Sequence, residues 1–306
     1  IKLRVKCSLS TRLCRWSNNS IKPHGFRMKN NPKVSILMAV CNGENSILQC
    51  IDSVLRQTVE DWEFIIVNDG STDKTLQILR SIASKDSRIK IVNQLTNMGL
   101  TKSLNHGLKY CNSKYVARID VDDSMKPKRL ETQFNYLEAS PEVGIVGSYV
   151  DLVDDNGDFI CEYRVPHGFN DILKILPRKN PVIHPSIMAR KNVLDRIGYY
   201  NERYQFSQDY DLLIRASCET QIENICDSLL FYRLTYSGIS RKKIKKQAWC
   251  HFNIVLLSVA KGRLPVYSIF FALKQILYII LPYRVINIIL KSRNSRDLKS
   301  GLYNLS

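Results

Sequence analysis

The sequence is short of acid at both ends. Residues 1–32 hold eight Lys/Arg and no Asp or Glu, and residues 241–306 hold thirteen Lys/Arg and one acid, Asp297. The chain as a whole carries +17, yet residues 33–240 net −3. A central region of that sign argues against a folded surface built to neutralise nucleic-acid phosphates. Long apolar runs are also missing. In Leu264–Leu290 the charge-free stretch is at most the ten residues Leu264–Leu273, because Lys274, Pro282 and Arg284 interrupt it. A spanning helix needs roughly 20, so none is expected there. No CxxC pair occurs among the nine scattered cysteines, and their number is odd. This fits neither a zinc site nor a disulfide framework; it predicts reduced thiols in a cytosol, each packed as a small buried apolar residue. Ile1–Phe26 has no apolar run of secretory length. The sequence starts without Met and Met28 precedes the first predicted strand, so residues 1–27 read as an upstream extension. Internal repeats and low-complexity segments are absent.

What is present is a globular composition, 44% apolar in 306 residues, enough for one α/β domain of roughly 200 to 250 residues plus an appendage. From 33 to 123 strand-like and helix-like segments alternate. Val34–Val40, Phe64–Val67, Ile89–Val92 and Tyr115–Ile119 are short apolar runs bounded by turn residues, and Ser46–Gln57, Asp73–Ala83 and Leu100–Leu108 carry apolar residues at helical spacing. That alternation predicts a mainly parallel, doubly wound sheet, with ligands outside the carboxyl ends of the strands. The polar segments at those ends, Cys41–Glu44, Asn68–Asp73, Gln94–Asn97 and Asp120–Asp123, should therefore line one crevice. Beyond 123 the spacing predicts a helix over Pro127–Ala139, strands over Val143–Val153, Phe159–Val165 and Ile187–Arg190, helices over Lys191–Ile197 and Tyr210–Cys218, and a strand over 222–234. After the basic run Arg241–Lys246 the chain reads as apolar helices with basic flanks. Those suit the interface of an anionic lipid leaflet, or alternatively packing on the protein or a second subunit. The divisions are a basic extension 1–32, a catalytic α/β domain 33–240, and a helical, membrane-associating appendage 241–306.

Several residues could carry chemistry. Asp120, Asp122 and Asp123 follow a buried strand, and three carboxylates so close repel one another. A divalent cation such as Mg²⁺ or Mn²⁺ relieves that repulsion and prefers oxygen ligands; a solvated acidic turn is the plain alternative. Asp69, after the second strand, can accept from a base N–H or a ribose hydroxyl, and it lies too far ahead of the next helix to cap it, a task that falls to Thr72 or Asp73. Arg118 could pair with the acids or with a phosphate. Asp209 starts a helix, where capping is one reading and a general base for an acceptor hydroxyl the other. His184 could meet a phosphate or an acceptor, or be structural.

Taken together, Val34–Glu44, Ile66–Asp73, Asn97–Leu100, Ala117–Asp123, His184–Ser186 and Gln208–Leu212 resemble the inverting glycosyltransferases of family 2, which have the GT-A fold. The order and spacing match over roughly 33–235. The resemblance implies transfer of a sugar from a nucleotide diphosphate sugar, often UDP-linked, to an acceptor hydroxyl. It implies that Asp69 reads the base; that Ala39, Cys41 and Glu44 line the nucleotide pocket; that Asp120 and Asp122 form the DxD pair, with Asp122 or Asp123 on the metal; and that Asp209 is the base. This chain departs from the family at Ala39 and Cys41, where Pro and Tyr are usual, and at Gln208, where Glu is frequent. The basic, apolar C-terminus suggests a lipid-linked glycan acceptor and a peripheral enzyme on the cytoplasmic face of the membrane, and by family analogy this fits surface polysaccharide synthesis such as O-antigen or capsule. Two other readings compete. A nucleic-acid-binding protein would use the basic ends, and a glycoside hydrolase would use two carboxylates without a nucleotide donor.

Overall fold

The computed structural model describes residues 32–234 and 244–281. Residues 1–31, most of the predicted basic extension, lie outside them, as do 235–243 and 282–306. The parallel half of the sheet forms as the alternation predicts. Strands β1 (Val34–Val40), β2 (Trp62–Asp69), β3 (Ile89–Gln94) and β4 (Tyr115–Arg118) lie in the order β3-β2-β1-β4 and pair in parallel. Helices α1 (Ile47–Leu55), α2 (Thr75–Ala83) and α3 (Leu100–Leu108) connect them. Alternate side chains of these strands go to opposite faces, as the pleat requires. Ile36, Met38, Phe64 and Ile66 join one core; Leu37, Ile65 and Val67 join the other. Both faces are covered, which is why the runs are continuously apolar. Gly107 lets α3 sit close: a Cβ there would come within 2.4 Å of Leu37 Cδ1 and 2.8 Å of Val67 Cγ2.

Past β4 the sheet becomes mixed. A two-residue strand β5 (Ser124–Met125) precedes α4 (Arg129–Ala139), β6 (Val143–Val153) and β7 (Phe159–Tyr163). Then come α5 (Phe169–Ile175), a 3-10 turn at His184–Ser186, β8 (Met188–Arg190), α6 (Lys191–Ile197), α7 (Gln208–Ala216) and β9 (Gln221–Arg233). The order continues β4-β8-β6-β9-β5, with β7 on β6. β6–β9 is parallel, while β4–β8, β6–β8, β6–β7 and β5–β9 are antiparallel. The sequence reading placed neither α5 nor β5. Helix α2 starts at Thr75, not Asp73, because the Asp73 carboxylate accepts the Thr75 N–H at 3.0 Å and caps the helix from outside. The cysteine expectation needs correction: all seven described cysteines are free, but Cys41, Cys218 and Cys226 are exposed rather than buried.

The appendage contains α8 (Ile244–Ala260) and α9 (Ser268–Ile280). No helix of the described residues is long and apolar enough to cross a membrane. Helix α8 lies on α7 through a parallel stack of His251 on Tyr210, with ring centroids 4.6 Å apart. The Tyr210 hydroxyl donates to the Leu176 carbonyl at 2.5 Å. On α9, Phe271 lies under the Arg178 guanidinium at 4.8 Å.

Candidate active site

The register places the ends of β1, β2 and β4 side by side: Val40 is level with Asn68, and Leu37 with Arg118. Two loops at this edge lock together. Asn42, at φ 55°, accepts the Thr72 N–H through its side-chain oxygen, and its own N–H donates to Ser71 Oγ. The Gly43 N–H donates to Thr75 Oγ1 at 2.8 Å, and the Glu44 N–H to Asp73 Oδ2 at 3.1 Å. In return the Glu44 carboxylate accepts the Lys74 N–H at the start of α2. Glu44 therefore braces this edge, and beside it Cys41 is exposed and Ala39 half-buried. Asn97 Nδ2 reaches Cys41 Sγ at 3.1 Å.

Asp69 is buried, and both its oxygens are engaged by backbone. Oδ1 accepts the Met98 N–H at 2.7 Å and Oδ2 the Gly99 N–H at 3.0 Å. It does not cap α2, as expected, but it anchors the loop that opens α3 from across the sheet edge. Gly70 makes this approach possible. Its φ is +63°, and a Cβ would lie 2.5 Å from the Asn97 nitrogen.

The three acids after β4 have three different environments. Asp120 is held bidentately by the buried Arg118, whose NH1 donates to Oδ2 at 2.9 Å and whose NH2 donates to Oδ1. Asp122 is exposed. Asp123 is buried: Oδ1 accepts the Arg233 N–H at 3.0 Å, while Oδ2 has no partner. Desolvation, reinforced by the charge of Asp120, holds both the Asp122 and the Asp123 carboxyl above the ordinary range. Beneath them the buried Arg129 donates to the carbonyls of Arg118 and Ile187, and burial brings its pKa down to about 9. Arg233, which sequence reasoning missed, ties the cluster to its surroundings. Its guanidinium donates to the carbonyls of Asp122 and Asp155 and to Gln49 Oε1. A concavity of about 180 Å³ opens there, lined in part by Asp122, Ser124 and Gly157.

Among the described residues no three His, Cys, Asp or Glu side chains converge to hold an ion by themselves. The donor set still fits a hard divalent cation that takes its other ligands from water and a diphosphate. It offers an exposed carboxylate, a neighbouring carboxylate with an orphan buried oxygen, and a local excess of negative charge.

On the other side stand the residues around α7. Asp209 and Asp211 both fall in its first turn, and the structure gives them separate tasks. Asp211 is buried against Arg215 at 2.7 Å, and Arg215 in turn holds the carbonyls of Ile197 and Tyr199. Asp209 instead has one side-chain partner, Asn180 Nδ2 at 2.7 Å, and burial holds its carboxyl above the ordinary value. His184 Nε2 meets the Tyr200 hydroxyl at 2.7 Å, and burial together with Arg118 keeps its ring neutral. Tyr200 feels the charges of Arg118, Asp209 and Asp120, and Tyr232 those of Asp123, Asp120, Arg118 and Asp209. Both tyrosines therefore lie within electrostatic reach of Asp209 and of the acid cluster. Neither carries a motif signal, because only the fold brings 200 and 232 to this point.

Residues 35–198 match the model described as Glycosyl transferase family 2. The chain is 34% identical over 220 residues to the glycosyltransferase MJ1057 of Methanocaldococcus jannaschii, covering 71% of this chain and 76% of that one. It is 34% identical over 230 residues to the O-antigen biosynthesis glycosyltransferase WbnJ of Escherichia coli, covering 74% and 87%. In fold it is similar to the mannosyltransferase PcManGT of Pyrobaculum calidifontis, solved with GDP-Man and Mn²⁺, with a TM-score of 0.62 and 16% identity over 90% of this chain and 84% of that one. The fold is the GT-A type, and the chain belongs to glycosyl transferase family 2.

Proposed function

We propose that this protein is an inverting, metal-dependent glycosyltransferase. It transfers a sugar from a nucleotide diphosphate sugar, UDP-linked in keeping with its family, to a hydroxyl of a glycan acceptor in surface polysaccharide synthesis. The observation that carries this reading is that Asp209, buried and held by Asn180, acts electrostatically on the same two tyrosines, Tyr200 and Tyr232, as the acid cluster does. Ala39, Cys41, Glu44 and Asp69 line the nucleotide side, where Asp69 fixes the loop that faces the base. Arg118 and Asp120 form a charge-matched floor under the diphosphate. Asp122 and Asp123 would hold Mn²⁺ or Mg²⁺, which supplies neutralisation of the charge that develops on the leaving diphosphate.

The acceptor hydroxyl gives its proton to Asp209 as its oxygen bonds to the anomeric carbon. The bond from that carbon to the diphosphate oxygen breaks, and the nucleoside diphosphate leaves. A carboxylate whose pKa burial holds above the ordinary value is a stronger base than a solvated one. His184, neutral and bonded to Tyr200, orients that phenol beside Asp209. The acceptor is lipid-linked and the protein sits on the inner face of the cell membrane. In support, the α8–α9 hairpin exposes Val266, Tyr267 and Phe270 beside Lys261, Arg263 and Lys274.

The test is a thermal-shift screen of nucleotide diphosphate sugars with and without Mn²⁺. One donor should stabilise the wild type in the presence of metal, and Asp122→Ala should abolish the metal's share. Stabilisation indifferent to Asp122→Ala would refute the metal assignment.

A further inference from the structure

Outside the crevice the described residues form a second and larger concavity, about 390 Å³, between the loop ahead of α7 and the first turns of α8. Arg203, Lys245 and Lys246 contribute three cations to its wall, and no acidic residue among the described residues lines it. None of the three takes part in the ion pairs formed among the described residues. Trp249, 56% exposed, supplies apolar surface, while Phe206 at 9% exposure forms the buried base of the wall. Solvated lysines on a convex surface are ordinary. Three unpaired cations around an aromatic-walled hollow form an arrangement that selects an anion carrying apolar mass.

Its position links it to the proposed chemistry. Phe206 precedes Asp209 by three residues. The neighbouring Tyr204 carbonyl accepts from Thr101 Oγ1 at 2.8 Å, which fixes the loop to α3. Gln205, also in the wall, lies near Gly99, where an added Cβ would be 4.0 Å from its Nε2, and the Gly99 N–H is held by Asp69. The wall is thus continuous in sequence with the turn that carries the proposed base, and through Gln205 it lies near the loop braced by Asp69. None of Cys41–Glu44, Asp69 or Asp120–Asp123 lines it, so it is distinct from the donor crevice.

We infer that the hollow walled by Arg203, Phe206, Lys245, Lys246 and Trp249 binds the phosphate end of an amphiphilic phosphate ester, the lipid carrier of the acceptor sugar. This rests on the transferase reading. The cations hold the phosphate, Trp249 packs the first carbons of the chain, and the sugar lies on the side of the α7 turn that carries Asp209.

The test is a Trp249 fluorescence titration of the full chain with dodecyl phosphate below its micelle concentration. Dodecyl maltoside and inorganic phosphate are the controls, and Trp249→Phe identifies the signal. Dodecyl phosphate should quench saturably. The Lys245→Glu/Lys246→Glu variant should bind it at least tenfold more weakly while keeping UDP affinity within twofold, with circular dichroism confirming its fold. Neutral maltoside should give no saturable quench, and inorganic phosphate should bind at least tenfold more weakly than the amphiphile. Unchanged binding after charge reversal would overturn the inference, as would equal binding of the maltoside. Inorganic phosphate binding as tightly as the amphiphile would overturn it in favour of a free-phosphate site, and a parallel loss of UDP affinity would assign the cations to the donor. Failure of the transferase reading has a separate signature, since it appears as wild-type protein that binds no nucleotide sugar.

Discussion

His251 makes the stability of the α7–α8 junction dependent on pH. Its ring stacks on Tyr210 with the planes 6° apart, and burial lowers its pKa to about 4, against 6.5 for an ordinary histidine. Between those two values the unfolded chain binds a proton that the folded protein refuses. Stability contributed by the neutral ring is therefore fully present above about pH 6.5 and is lost as pH falls toward 4. The separation corresponds to about 3 kcal/mol, and because the residue is half-buried at the surface we expect about 2 kcal/mol. The perturbation is His251→Phe, which keeps a flat ring against Tyr210 and removes the titration. Urea denaturation followed by far-UV circular dichroism at pH 7.5, 6.5, 5.5 and 4.5 gives both stabilities. His184, buried and neutral in its own right, weakens both proteins alike at low pH and cancels in the difference. The wild type should lose about 2 kcal/mol relative to His251→Phe between pH 7.5 and 4.5. Parallel curves across that range would show that the ring titrates normally and is not held neutral by packing.

The other expectations concern the site and its supports. Gly70→Ala should cost about 1 to 2 kcal/mol, because φ is +63° and the added carbon meets the backbone of 96–97. Gly157→Ala, at φ +89° with open space around it, carries the backbone cost alone, so thermal melts of the two should differ in that order. Asp211→Asn should lower stability by about 3 kcal/mol, since Arg215 keeps its buried carbonyl contacts without a counter-charge; its melt would drop while transfer per folded molecule persisted. Asp209→Asn should do the reverse, with transfer falling roughly 10²- to 10⁴-fold and donor binding retained. The pH profile of the wild-type transfer rate should rise through an acid limb above 3.8, because only the ionised Asp209 accepts a proton and burial raises its pKa. A limb at or below that value would refute the assignment.

Much of the frame could be read from the sequence because the sheet's two faces are both covered. β1 and β2 are continuous apolar runs ended by Asn42-Gly43 and Asp69-Gly70, and their ends needed no tertiary information. The convergence of Cys41–Glu44, Asp69 and Asp120–Asp123 followed from parallel winding alone. The mixed half was less legible. β5 is two residues long and exists only because β9 returns beside it, and α5 has a single fully buried residue, Ile172, and so little apolar periodicity. Side-chain partners were the least legible. Nothing in Asn68-Asp69-Gly70 announces that the carboxylate will hold Met98 and Gly99, residues of a different loop. Arg233, Tyr200 and Tyr232 lie in no motif, and their roles arise from strands and turns that meet only in the folded chain.

The acid cluster shows why a motif underdetermines a site. Asp120, Asp122 and Asp123 are close neighbours in sequence with the same functional group, yet they meet a buried guanidinium, a serine side chain at the solvent edge and a backbone N–H respectively. A carboxylate fixed on both oxygens by Arg118 is a poor choice to follow a moving ligand and a good one to set the shape of a floor. An exposed carboxylate can swing toward a cation. A buried one with an unpartnered oxygen is costly while it stays unpaired, so a cation arriving there gains from two sources: its own coordination and the relief of that oxygen. The ordering that follows is specific. Asp123→Asn should raise the stability of the metal-free protein, because it removes the buried charge, and should weaken Mn²⁺-dependent stabilisation by nucleotide. Asp122→Asn should leave the metal-free melting temperature within about 1 °C and lose the metal effect alone. Equal behaviour of the two variants in a thermal shift with and without Mn²⁺ would mean that the difference in their surroundings has no consequence for the ion.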